Sequence, residues 1–217
     1  MKKLLSLTLA LVCLFAAIPL AGCAKIDTTG LLGEAPALIE KSALVNEIFF
    51  GDGIPYDENG TPQGNFYPAD PAYLAEHSLK TTSDLRTLTE SVFSQEYAAI
   101  ILGSGIAGFP ADVGYVYPRY ASSQAENLRD ENETILVSST SEFLLNPIGK
   151  STYHYETLEL VATTRHYALL SLSVTTVSLL PADERVEGQD NTVTATVTME
   201  IKFVKENGAW RIDSPTY

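Results

Sequence analysis

The chain has 217 residues, of which 14 are Lys or Arg and 27 are Asp or Glu, giving a formal net charge of −13. Hydrophobic residues make up 45%, too many for a disordered chain and enough for a core that needs no disulfide or metal to hold it. So acidic a chain repels phosphate, which excludes nucleic acid as its partner.

Lys2 and Lys3 are followed by an almost unbroken apolar stretch from Leu4 to Leu20. That is the layout of a processing segment, and it stays outside the fold. The stretch runs into Leu20-Ala21-Gly22-Cys23, which resembles the lipobox of bacterial lipoproteins. The resemblance implies cleavage between Gly22 and Cys23, a diacylglycerol on the Cys23 thiol, and a freed amine open to acylation as well. It places the mature chain on the extracytoplasmic face of a bacterial membrane, with the bilayer as a partner through acylated Cys23. A buried methylene contributes about 0.8 kcal/mol and one myristoyl-sized chain binds only marginally, so two or three chains make a lasting anchor. The other cysteine, Cys13, lies in the segment to be removed. The mature chain then has no disulfide and no thiol for catalysis or a metal site. Losing Lys2 and Lys3 takes the net charge from −13 to −15, which favours partners with basic surfaces.

The expected organisation is a signal peptide over 1–22, a lipidated tether over 23–33 and one domain over 34–217. From Ala35 to Phe50 the pattern is helical, with Leu38, Val45, Ile48 and Phe49 on one face and Glu40 and Glu47 opposite. Pro36 suits the first turn, and Gly51-Asp52-Gly53 stops the helix. Gly51 to Pro71 reads as a loop with a tight turn at Asn59-Gly60, and Tyr73 to Leu79 as a short strand. Thr81-Thr82-Ser83-Asp84 predicts a capped helix start with Leu85, Leu88 and Val92 as its apolar stripe. Ser94 with Glu96 predicts a second short helix carrying Tyr97, Ile100 and Ile101, which Gly103 and Gly105 end.

The remainder is strand-like: Val113 to Tyr120, Thr134 to Ser139, Tyr153 to Thr163 and His166 to Val177. From Thr192 to Phe203 the alternation is strict, with Val193, Ala195, Val197, Met199, Ile201 and Phe203 on a dry face and the threonines, Glu200 and Lys202 on a wet one. Asn207-Gly208 predicts a tight hairpin into a strand carrying Trp210 and Ile212. Helices first and strands afterwards give an α+β fold, with N-terminal helices packed on a curved antiparallel sheet and a mostly β C-terminal half.

Gly103-Ser104-Gly105-Ile106-Ala107-Gly108 matches a dinucleotide-binding fingerprint by letter. That chemistry needs a strand before the glycines and a helix after them, whereas here a helix precedes and Phe109-Pro110 follows. The run reads as a helix-to-strand connection. Ser104 lacks the G-x-S-x-G setting of a nucleophile. His154 and His166 lie on neighbouring strands, where two imidazoles alone do not hold zinc without an acid such as Glu156 or Glu159. Asp52, Asp57, Glu58 and Asn59, like Asp130 to Glu133, lack the spacing of a calcium loop and read as solvated acids. No catalytic residue, cofactor or metal ligand is assigned. Tyr115, Tyr117 and Tyr120 cluster beside Arg119, and aromatic groups with polar tips suit a partner surface as well as a half-buried sheet.

Two further resemblances follow. Phe203 to Ile212 looks like the last hairpin of nuclear transport factor 2-like domains, which implies helices packed into a curved sheet and a small-molecule pocket or, less often, an enzyme. The stretch Tyr73 to Tyr97, with Tyr117-Pro118-Arg119 and the terminal Trp hairpin, resembles the DL-endopeptidase inhibitor family of Gram-positive envelopes. This implies a non-enzymatic protein that binds a cell-wall hydrolase. The expectation is therefore a membrane-anchored envelope lipoprotein that binds a protein partner, with small-molecule binding as the alternative.

Overall fold

The computed structural model describes residues 25–107, 109–111, 114–116, 119–122, 134–139, 151–180 and 182–216. The lipobox and Cys23 lie outside the described residues, as do Tyr117 and the acidic run from Asp130 to Glu133.

Helix α1 (Leu31–Phe50) buries Leu31, Ala35, Ile39, Ser42, Asn46 and Phe49, a stripe at the three- and four-residue spacing of an α-helix. It begins a turn before the expected Ala35, because Gly30 takes a left-handed conformation (φ 83°) and its carbonyl accepts from the N–H groups of Gly33 and Glu34. Leu31 is thereby driven into the core, and Pro36 sits inside the helix. Residues 31–33 belong to the domain and not to the tether. Ile26 also packs on the core, and its N–H bonds the Thr164 carbonyl at 2.7 Å.

After β1 (Phe66–Pro68) comes a correction. The expected strand Tyr73 to Leu79 is helix α2 (Pro71–Glu76), because the Asp70 side chain accepts from the Tyr73 N–H and Pro71 fills the first turn. Helix α3 (Thr82–Val92) starts where expected, with a reciprocal cap between Thr81 and Asp84, and buries Leu85, Thr89 and Val92. Helix α4 (Gln95–Leu102) is capped by Ser94, which accepts from the Tyr97 N–H. The chain then continues into a π-turn over Gly103–Ala107. Gly105 is needed there, since a Cβ would run into the Phe49 ring. The expected strand from Val113 is divided between β3 (Gly114–Val116) and β4 (Tyr120–Ser122); β2 (Phe109–Ala111) pairs with β3.

The fold is α+β. Strands β1, β5 (Ile135–Ser138) and β4 form one antiparallel sheet in the order β1-β5-β4. The larger sheet is antiparallel in the order β6-β7-β8-β9, with β6 (Ser151–Thr163), β7 (Tyr167–Leu179), β8 (Thr192–Glu206) and β9 (Ala209–Ile212). The β6–β7 register shifts between His154 and Glu159 and again between Leu160 and Ala162, irregularities of the kind that increase local twist. Helix α1 crosses β6 and β9, and α3 lies beside α1, α4 and β9. The core between helices and sheet includes Ile39, Phe49, Leu85, Phe93, Leu170, Val174, Ile201, Phe203 and Trp210.

Candidate functional site

Arg119 and Tyr120, expected on a partner surface, are internal. Tyr120 is fully buried and Arg119 is 8% exposed. The Tyr120 hydroxyl donates to the Ile48 carbonyl at 2.5 Å and accepts from the Ile54 N–H at 3.0 Å. The Arg119 guanidinium donates to the carbonyls of Gly51 and Asp52. Together they close the C-terminal end of α1, where unpaired carbonyls and the negative end of the helix dipole attract donors and positive charge. Gly53 (φ +82°) lets the chain turn against the guanidinium, and a Cβ there would meet it. Burial pushes the Tyr120 hydroxyl up to about 12, against the opposing pull of Arg119. Tyr115 has its backbone in β3. The expected tyrosine surface is therefore withdrawn at Arg119 and Tyr120.

The histidines do not meet. His154 stands opposite Ser173 and bonds Thr175 Oγ1 at 2.8 Å, with Glu156 at 3.4 Å on its other nitrogen. His166 lies in the turn before β7, its N–H held by Thr164. Among the described residues no three His, Cys, Asp or Glu side chains converge as a metal group. Asp57 accepts from the Asn59 N–H, a local turn contact.

A second polar group, unforeseen from the sequence, lies beneath the sheet. Ser42 and Asn46 on α1 both bond the buried Thr216 hydroxyl at 2.8 Å, and the Tyr153 hydroxyl donates to the Thr216 carbonyl at 2.7 Å. This fastens the C-terminal tail across the core. Asn46 Oδ1 and the Tyr155 hydroxyl are buried there without a partner among the described residues. Burial, with the Glu40 charge and Tyr153 adding to it, pushes the Tyr155 hydroxyl up to about 12. Elsewhere a recess of about 520 Å³ is lined by residues including Glu90, Gln95, Glu206 and Arg211. Its polar groups pair among themselves: Glu206 accepts from the Gln95 N–H, and Arg211 donates to the Glu90 carbonyl.

Among the described residues, a continuous exposed stretch lies on β8 in the far part of the β7–β8 pair. The ladder runs without a break from Tyr167 opposite Val204 to Leu179 opposite Thr192. Near the helices its inner face is dry, with Leu170, Val174, Ile201 and Phe203 all at 0% exposure. On β8 the cover ends beyond Met199, and every residue from Thr192 to Thr198 is exposed, on both faces, although Val174 of β7, directly opposite Val197, is still fully buried. Val193 and Val197, expected in the core, are 45% and 48% exposed. The opposite face carries Thr194, Thr196 and Thr198 across from Val177, Thr175 and Ser173, and the hydroxyls of Thr175 and Thr196 bond at 2.9 Å. The connecting loop holds exposed Asp183, Glu184, Glu187 and Asp190.

On its other side the described pairing of β8 is near its end. β9 covers Phe203 to Glu206, and the chain after it reaches back to Lys202. From Thr192 to Ile201 no described strand lies on that side. The tip of this ribbon is at the opposite end of β7 from the Ile26–Thr164 contact, about 40 Å away at a strand rise of roughly 3.3 Å per residue. An open strand edge offers backbone hydrogen bonds and two side-chain faces, the elements of protein recognition by strand addition. Compared with known proteins, the chain matches no family model and no curated sequence.

Proposed function

We propose that the chain is a lipid-anchored, non-enzymatic protein of the bacterial envelope that binds a protein partner through the two faces of the β7–β8 ribbon. The specific form favoured by the sequence resemblance is restraint of a peptidoglycan DL-endopeptidase. The observation that carries the reading is the exposure of Thr192 to Thr198 on both faces, which puts Val193 and Val197 on one open face of a regular strand that has no described neighbour on its outer side, a setting suited to a protein partner. The acids of the connecting loop suit a partner with a basic surface. Ile26, three residues after the proposed anchor residue, is held at the Thr164 end of the sheet, and the ribbon's tip is at the other end of β7, which is compatible with engaging both together.

The test uses the full-length lipoprotein in detergent, mixed with envelope extract while wall lysis is followed. Wild-type protein is expected to retain a hydrolase and slow lysis. The double variant Val193→Lys, Val197→Lys is expected to lose at least tenfold in retention, while Leu32→Lys, another exposed apolar position, keeps it. Equal retention by the ribbon variant overturns the surface. An unchanged lysis rate removes the hydrolase.

A further inference from the structure

Among the described residues, no strand lies on the outer side of 192–201, and the composition of this edge is unusual. Natural edges are blunted by lysine, proline or a bulge, and this one carries no Lys or Pro and a single charge, Glu200. Its β7 ladder has no register shift. The direction of its backbone groups follows from the hydrogen bonds at either end. The Asn191 carbonyl accepts from the Leu180 N–H and the Ala195 carbonyl from the Thr176 side-chain hydroxyl, so odd-numbered groups point toward β7. Lys202 points the other way, its carbonyl taking the Asp213 N–H and its N–H bonding Ser214 Oγ. By the alternation of an antiparallel strand, Thr194, Thr196, Thr198 and Glu200 present their N–H and C=O groups to the open side. Thr192 has its N–H on the Asp190 side chain.

We infer that this edge pairs with the same edge of a second copy, antiparallel about a two-fold axis at Thr196, joining two four-stranded sheets into one. Thr196 then faces its own counterpart, Thr194 faces Thr198, and Val193 faces Met199. Every outward N–H and C=O of the three central threonines meets its complement. The face alternation matches itself, since Val197 lies opposite Ala195 and threonine opposite threonine, whereas a slip of one residue would set valine against threonine. Charge selects among the remaining registers. About Thr196 the Glu200 side chain meets Thr192, and Asp190 of one copy comes level with Lys202 of the other. Moving the axis to Ala195 sets Glu200 against Asp190, and moving it to Val197 requires Lys202, whose edge Asp213 and Ser214 already occupy. The pairing is isologous and closed, and it leaves both ribbon faces free, so it stands independently of the partner and lipid proposed above.

The test is oxidation of full-length protein in detergent. Opposed residues of a hydrogen-bonded antiparallel pair have Cα atoms about 5.5 Å apart, within the roughly 4.4–6.8 Å a disulfide spans. Thr196→Cys is expected to give a disulfide-linked dimer as the main species, over the unsubstituted chain, which accounts for Cys13 and Cys23. Thr194→Cys and Thr198→Cys should each stay monomeric alone and cross-link when mixed. Thr152→Cys, exposed on β6, should not cross-link. Thr196→Lys sets two like charges face to face and should weaken the dimer at least tenfold by light scattering, with an unchanged melting point at dilutions where both proteins are monomeric. No excess dimer with Thr196→Cys, or equal cross-linking at Thr152→Cys, overturns the pairing. Failure of the mixed pair overturns the register. Loss of hydrolase retention alone leaves the pairing standing.

Discussion

The two halves of β8 share one ladder, one alternation and one neighbour, yet they sit in different surroundings. From Ile201 to Phe203 the apolar side chains are sealed beneath α1 and its neighbours; from Val193 to Val197 the same face meets solvent. The far half of the strand is held by backbone bonds to β7, while the near half adds side-chain burial worth roughly 1.5–3 kcal/mol for each large residue. Regular backbone pairing and core packing are thus separable along a single strand. The part without core packing, held by pairing and by the Thr175–Thr196 hydroxyl bond, is the part assigned above to a proposed partner.

This contrast can be broken by substitution. Phe203→Ala removes a fully buried ring and is expected to lower unfolding stability by about 3–5 kcal/mol in urea titrations; a loss under 1 kcal/mol would mean that the near half is no better packed than the far one. Next comes Tyr120→Phe, which strips the Ile48 carbonyl and the Ile54 N–H of their shared partner. It is expected to cost roughly 1–3 kcal/mol, although Tyr120 sits in a short edge strand.

A smaller effect is expected at the helix start. Thr81→Ala should cost about 1 kcal/mol by removing the cap of α3. Its partner Asp84 adds a pH dependence. Its carboxyl is held below its ordinary value of 3.8, first by the Thr81 N–H, with Lys80 and the Thr81 hydroxyl contributing. A lowered folded pKa gives stability that is complete above the unfolded value, about 4, and is lost as pH falls through the folded one. The stability gap between wild type and Asp84→Asn should therefore be full at pH 7 and close as pH drops below about 4. Smallest of all, Val197→Thr should change the stability of the dilute monomer by less than about 0.5 kcal/mol. A loss near that of Phe203→Ala would show that the far half is covered in solution.

Local signals were legible where a side chain bonds its own neighbourhood. Thr81 with Asp84 and Ser94 with Tyr97 place the starts of α3 and α4, and Asn207 (φ 51°) and Gly208 (φ 84°) turn the β8–β9 hairpin as their residue types require. The same kind of signal was present at Asp70-Pro71, where the cap outweighs the strand-like tyrosine and leucine that follow. The clamp on α1 was not legible. Tyr120 meets groups 66 and 72 residues earlier in the chain, and no local pattern carries a contact of that range. For β8, alternation tells which way the side chains point. How far the cover extends along that face is set by the lengths of α1 and its neighbours, which the strand's own sequence does not encode. The alternation therefore predicts core along the whole strand, and residue type alone suits the clamp's tyrosine to a partner surface as well as to a half-buried sheet.

The hydrogen bond between the Ile26 N–H and the Thr164 carbonyl makes a short leash. Cys23 is three residues upstream, a reach of about 10 Å when fully extended. With acyl chains on that sulfur, the turn between β6 and β7 would ride just above the headgroups, leaving the body little freedom to sweep through the wall. Anything it holds would be sampled from a thin layer of space, and lengthening the leash by a few glycines would widen that layer without touching a single contact of the fold.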